Sequence, residues 1–171
     1  MRALIASTLL VAGALAWGPL APSGAAPGPQ PGLPEGAVVT YSFTDSSVPP
    51  QYHRSWRLTV TTGQSAISVF SYGSVLAERA AATAPGIWDQ LSAGFATALE
   101  SAELAGRRST PDGCTGGTTE AVRVTVGPEV LLDQSVYDCG GTNTDIAETL
   151  QTWIAPARLQ FPATDVLAPP G

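Results

Sequence analysis

The stretch Gly113–Gly141, GCTGGTTEAVRVTVGPEVLLDQSVYDCGG, decides the fold. It holds both cysteines of the chain, Cys114 and Cys139, at the two ends of what reads as a β-hairpin. Val122, Val124 and Val126 alternate with Arg123 and Thr125, the period of two expected of a half-buried strand. Gly127-Pro128 breaks that run. A second apolar and β-branched stretch, Val130 to Tyr137, then leads back to Cys139. Pairing the two strands brings Cys114 toward Cys139, and a disulfide needs their Cα atoms within about 4.4–6.8 Å. Closing a loop of that length stabilises a fold by about 3.5 kcal/mol in the chain-entropy picture. Other chemistry fits these cysteines less well. With His53 they fall short of the four ligands of a structural zinc site, and a thioredoxin-like pair is written C-x-x-C rather than this far apart.

A disulfide implies export, and the amino terminus agrees. Arg2 precedes an apolar run from Ala3 to Trp17, and Ser23-Gly24-Ala25-Ala26-Pro27 supplies the small residues of a cleavage site after Ala25. Residues 1–25 therefore read as a signal peptide. The apolar run is shorter than the roughly 20 residues of a spanning helix, so no stable membrane insertion is expected after cleavage. The chain carries a net charge of −6, and cleavage removes Arg2, leaving it more acidic still. Nucleic acid and anionic lipid are poor partners for such a chain, because both need clustered positive charge. Every basic residue is an arginine, a compositional bias with no mechanism attached.

Residues 26–36, APGPQPGLPEG, read as a Pro/Gly-rich flexible leader. A single domain is expected over residues 37–162. It opens with a strand from Ala37 to Thr44 and continues with strands Ser55 to Thr62 (Trp56, Leu58 and Val60 inward), Ser65 to Tyr72 and Val75 to Ala81. The period then changes. Trp88, Leu91, Phe95, Leu99 and Ala102 recur at spacings of three and four, predicting a helix over Pro85 to Ala105 with Gly106 as its stop. Beyond the cysteine hairpin, Ile146, Leu150, Trp153 and Ile154 predict a second helix that starts after Thr142 or Asn143 and ends at Pro156. Residues 163–171 read as a flexible tail. Strands in blocks, set apart from helices, give an α+β class: an antiparallel sheet, built from a meander and the disulfide-closed hairpin, with two helices packed on one face.

Catalytic constellations are missing from this pattern. There is no G-x-S-x-G elbow, P-loop or G-x-G-x-x-G, and His53 is the sole histidine. Glu100 and Glu103 share one helix, where a spacing of three marks a solvated face rather than two acids across a sugar. Asp133, Asp138 and Asp145 form no EF-hand pattern. No cofactor or metal is expected. For binding, the connection Ser46–Arg54, SSVPPQYHR, combines prolines that stiffen a loop with residue types common at interface hot spots. Its candidate contacts are Val48, Pro49, Pro50, Tyr52, His53 and Arg54, although the segment also reads as an ordinary inter-strand loop. The glycines beside the cysteines, Gly116, Gly117, Gly140 and Gly141, fit turn geometry or backbone exposed to a partner.

The stretch YSFTDSSVPPQYHRSWRLTV, with Ser71-Tyr72-Gly73 and Tyr137-Asp138-Cys139-Gly140-Gly141, resembles a group of exported actinobacterial proteins that carries no assigned activity. In layout alone the order of elements is similar to small bacterial protease inhibitors of the emfourin type. These readings imply a secreted, non-enzymatic domain that binds a protein or small envelope component. Inhibition of an extracellular protease is the first alternative, and an enzyme with dispersed carboxylates the second.

Overall fold

The computed structural model describes residues 32–105, 108 and 115–170. The strands are β1 (Ala37–Thr44), β2 (Ser55–Val60), β3 (Gln64–Ser71), β4 (Ser74–Ala82), β5 (Thr118–Val126) and β6 (Glu129–Asp138). Helix α1 (Ile87–Ala105) separates β4 from β5, and α2 (Thr144–Arg158) and α3 (Thr164–Leu167) follow β6. All six strands join one antiparallel sheet in the order β4-β3-β2-β1-β5-β6. The first strand is thus internal. It pairs on one side with β2, Tyr41 opposite Leu58, and on the other with β5, Tyr41 opposite Val122.

Alternation decides which face is covered. Val39 and Tyr41, Leu58 and Val60, Ile67, and Val122 and Val124 point to one side, where they are sealed by Leu91, Phe95 and Ala98 of α1 and by Ile146, Leu150 and Ile154 of α2. The opposite face carries Thr40, Ser42, Arg57, Thr59 and Arg123, and Arg123 pairs there with Asp133. An α+β antiparallel sheet with helices on one face is therefore the observed architecture.

The two helices meet closely at Gly94. A Cβ at that position would lie 2.8 Å from Trp153 Cδ1, so glycine is what lets the indole approach the α1 backbone. Trp153 Nε1 donates to Leu91 O at 2.8 Å, which fixes the ring in the gap. A glycine that weakens α1 as an isolated helix is thereby required by its packing.

Several boundaries and segments differ from expectation. Helix α1 starts at Ile87 rather than Pro85, because Gly86 takes a left-handed φ of 79° immediately before it. Pro156 does not end α2, which continues to Arg158. A proline removes only its own N–H, so one lying in the last turn leaves just one helical hydrogen bond unmade there. The expected loose tail instead contains α3 and buries Ala168. Leu33, at the end of the expected leader, is buried in the core, and its N–H donates to Ser92 Oγ at 3.0 Å. Gln160 ties the end of α2 to the sheet: its Oε1 accepts from Ala84 N–H at 2.8 Å and its Nε2 donates to Ser65 Oγ at 3.0 Å. The expected signal peptide, residues 1–25, lies outside the described residues.

Cys114 also lies outside the described residues. Cys139 is buried just past β6 and is not a free cysteine. A bond between Cys114 and Cys139, and with it a disulfide-closed hairpin, stands as a proposal. The hairpin itself is formed, with Thr118 opposite Asp138 and Val126 opposite Glu129. Gly127 makes the turn between them at φ 53°, a left-handed value that glycine adopts without steric cost.

Candidate functional site

The Ser46–Arg54 loop is built from its own backbone outward. Pro49 O accepts from Tyr52 N–H at 2.8 Å and from His53 N–H at 3.2 Å, which closes a tight turn that leaves Pro49, Pro50, Gln51 and Tyr52 exposed. Asp45 holds both ends of the loop. Its Oδ1 accepts from Ser46 N–H at 2.8 Å and its Oδ2 from Arg54 N–H at 2.9 Å. Replacing Asp45 by alanine leaves both amides without an acceptor. The expected outcome is a loss of about 1 kcal/mol and faster amide hydrogen exchange at Ser46 and Arg54, read by NMR.

The β3–β4 turn braces the loop from the side. Tyr72 and Gly73 form the turn with φ of 45° and 87°, the pair of left-handed values of a type I′ hairpin. Glycine accepts such a value freely, whereas a tyrosine pays a steric penalty of roughly 1–2 kcal/mol. Tyr72 is held there by its contacts with the loop. Its ring stacks on His53 at a centroid distance of 4.1 Å, and its hydroxyl donates to Val48 O at 2.5 Å. Ser71 Oγ donates to Pro50 O at 2.9 Å.

The six residues expected to make contacts divide sharply. His53 is buried, and Arg54 is spent inside the molecule. Arg54 Nε donates to Ala168 O at 2.6 Å, Nη2 to Pro169 O at 2.9 Å and Nη1 to His53 O at 2.8 Å, so this side chain is what fastens the carboxyl-terminal segment. Val48 is half-buried and anchors Tyr72. Only Pro49, Pro50 and Tyr52 face solvent. Tyr72, which was not among the six, joins them: Tyr52 is 60 % and Tyr72 57 % exposed. A groove of about 620 Å³ runs beside this knob between Leu76 of β4 and Leu167–Pro169.

His53 and Ser55 lie at 3.4 Å, the pairing of a base with a nucleophile, yet their hydrogen bonds run the wrong way. His53 Nδ1 accepts from Tyr72 N–H at 3.4 Å, so the ring proton sits on Nε2 and is donated toward Ser55 Oγ. Ser55 Oγ is also the acceptor for Asp45 N–H at 3.0 Å. A hydrolase needs the opposite tautomer, held by an acid on the far nitrogen. Asp133, Asp138 and Asp145 do not gather: Asp133 goes to Arg123, Asp145 to Arg108, and Asp138 accepts from the Thr144 hydroxyl.

A second polar cluster, which the sequence reading missed, lies under α2. Glu120 is fully buried on the core face of β5, opposite Phe43. Its Oε1 accepts from Gln151 Nε2 at 2.5 Å. Its other oxygen faces the buried Tyr41 hydroxyl, but neither Glu120 Oε2 nor Tyr41 Oη reaches full hydrogen-bond geometry. Burial pushes the Glu120 carboxyl above its ordinary range; contacts with Tyr41 and Gln151 oppose the shift and the charge of Asp138 adds to it. Burial likewise drives the Tyr41 phenol strongly upward, reinforced by Glu120, so it remains protonated. The period of Val122, Val124 and Val126, carried back one step, points to Glu120; the strand begins at Thr118 and not at Val122.

No protein-family model, curated protein or solved structure matches this chain.

Proposed function

We propose that the protein is an exported, non-enzymatic binding domain that recognises another protein, and that the Pro49–Tyr52 knob with Tyr72 is the part recognised. The observation that carries this reading is the bracing of the loop. Asp45, Tyr72 and Ser71 are committed to holding its backbone and His53 to bracing Tyr72, while Pro49, Pro50 and Tyr52 are left to solvent. A loop ordered beforehand loses little entropy on association, and tyrosine supplies contact area with few rotatable bonds. The complementary surface is a cleft with apolar walls, since the knob is proline and tyrosine and its one cation, Arg54, is already engaged. Tyr52→Ala removes a ring that is 60 % exposed. Partner affinity should fall by at least tenfold with the melting temperature unchanged, as measured by titration calorimetry and thermal unfolding. Unaltered affinity would remove the knob from the reading.

The same bracing favours one narrower reading, inhibition of an extracellular protease. A rigid exposed loop enters a protease cleft as an extended substrate does, and tight tethering at both ends slows release after any cleavage. This reading requires stoichiometric, saturable loss of a protease's activity. Steady digestion of the loop with activity undiminished would end it.

A further inference from the structure

A separate groove lies between α2 and the adjoining ends of β1 and β2 on the covered sheet face. It is formed by Phe43, Trp56, Gln151, Ile154, Arg158 and Leu159 and has a volume of about 440 Å³, within the usual size of small-molecule sites. Its lining is apolar except at two points. Arg158 lies over the Trp56 ring at 5.4 Å, and Gln151 is oriented by the buried Glu120 behind it.

The arginine is the unusual feature. Its Nη1 donates to Phe161 O at 3.1 Å and Pro162 O at 2.9 Å, which fixes the guanidinium at the end of α2. Nε and Nη2 make no such bond, and no carboxylate of the described residues pairs with it. A half-buried cation without an anion is costly, and it is offset in part by the indole face beneath it. We propose that this groove binds a small amphiphilic carboxylate, its anionic head on Arg158 and its apolar body along Phe43, Ile154 and Leu159. Charge complementarity selects the head, since the free Nε and Nη2 edge of a guanidinium matches two carboxylate oxygens. The apolar lining selects the body. The other polar group of the lining, Gln151 two turns earlier on α2, offers an amide and not a second cation, which disfavours a polyanion.

The test uses octanoate and octan-1-ol as matched probes, followed by the Trp56 indole N–H signal in NMR spectra of the purified protein. Octanoate is expected to shift that signal saturably with a Kd of about 1 mM or tighter, and the alcohol at least tenfold more weakly. Arg158→Gln should weaken octanoate binding by at least tenfold. Because Arg158 also holds the Phe161 and Pro162 carbonyls, Leu159→Asp serves as a second variant: an acid placed on an exposed rim residue should repel the ligand without disturbing the fold, and its loss of binding should exceed that of Leu159→Asn. Equal binding of acid and alcohol, indifference to either charge change, or no saturable shift of Trp56 would each overturn the assignment.

Discussion

Replacing Trp153 by alanine should destabilise the protein by about 3–5 kcal/mol, the range for truncating a buried aromatic side chain. The ring is 7 % exposed and fills the space that Gly94 opens between α1 and α2, with Phe95 beside it at 6.4 Å. Truncation removes those contacts, leaves a void that two well-formed helices cannot close by small shifts, and forfeits the Nε1 hydrogen bond to Leu91 O. Trp153→Phe separates the terms, since it keeps much of the volume and loses the N–H; about 1 kcal/mol of the loss should remain. Urea denaturation with an unchanged slope and a shifted midpoint is the readout. A loss below 1 kcal/mol for the alanine variant would mean that the helices do not depend on this contact.

Glu120→Gln should act in the opposite direction. At pH 7 the variant is expected to be more stable than the parent by about 1–3 kcal/mol, the cost of a buried polar group left unsatisfied. The glutamine Oε1 keeps the bond from Gln151, and its amide donates to the Tyr41 hydroxyl that now faces a carboxylate oxygen out of bonding geometry. The pH dependence has a definite sign. Burial raises the folded-state pKa of Glu120 above its unfolded value, so the folded state holds the proton longer. Stability is therefore lost as pH rises from the unfolded carboxyl value, about 4.3, through the folded one. Glutamine has no proton to lose. The advantage of the variant should be greatest at neutral pH and shrink as pH falls toward 4. A variant that is less stable at pH 7 would show that the carboxylate is held by its neighbours and not penalised.

The elements that could be read from the chain are those whose burial pattern is local. The first strand, Ala37–Thr44, was delimited to the residue because Val39, Tyr41 and Phe43 share one face, with Thr40, Ser42 and Thr44 between and after them, and Gly36 precedes the run. Helix α1 was legible from Trp88 to Ala102 by its spacing. What the chain did not reveal is long-range. No local pattern shows that β5, while paired with β6, also pairs with β1 on its other side, and that pairing is what buries Glu120 beside Tyr41. The tail was misread for a similar reason. Residues 163–170 have no apolar periodicity, and their order comes from Arg54, more than a hundred residues away, bonding to the carbonyls of Ala168 and Pro169.

Arg54 also shows what the sequence of the Ser46–Arg54 loop leaves open. Proline content locates a stiff segment, and Pro49, Pro50, Gln51 and Tyr52 lie exposed in it. In the folded chain two of the six candidate contacts, His53 and Arg54, are the fasteners, and Tyr72, supplied by another turn, takes a place at the surface. The residue types of a loop identify its chemistry; only the fold decides which side chains it uses internally.

The central claim is that the braced knob is what a protein partner recognises. The most direct measurement is parallel affinity capture from the producing culture's medium and envelope extract, with the purified native protein and its Tyr52→Ala variant as baits of matched melting temperature. The account predicts one protein retained near equimolar amount by the native bait and absent or strongly depleted on the variant. Equal retention by both baits, or none by either across a range of salt and pH, would contradict it.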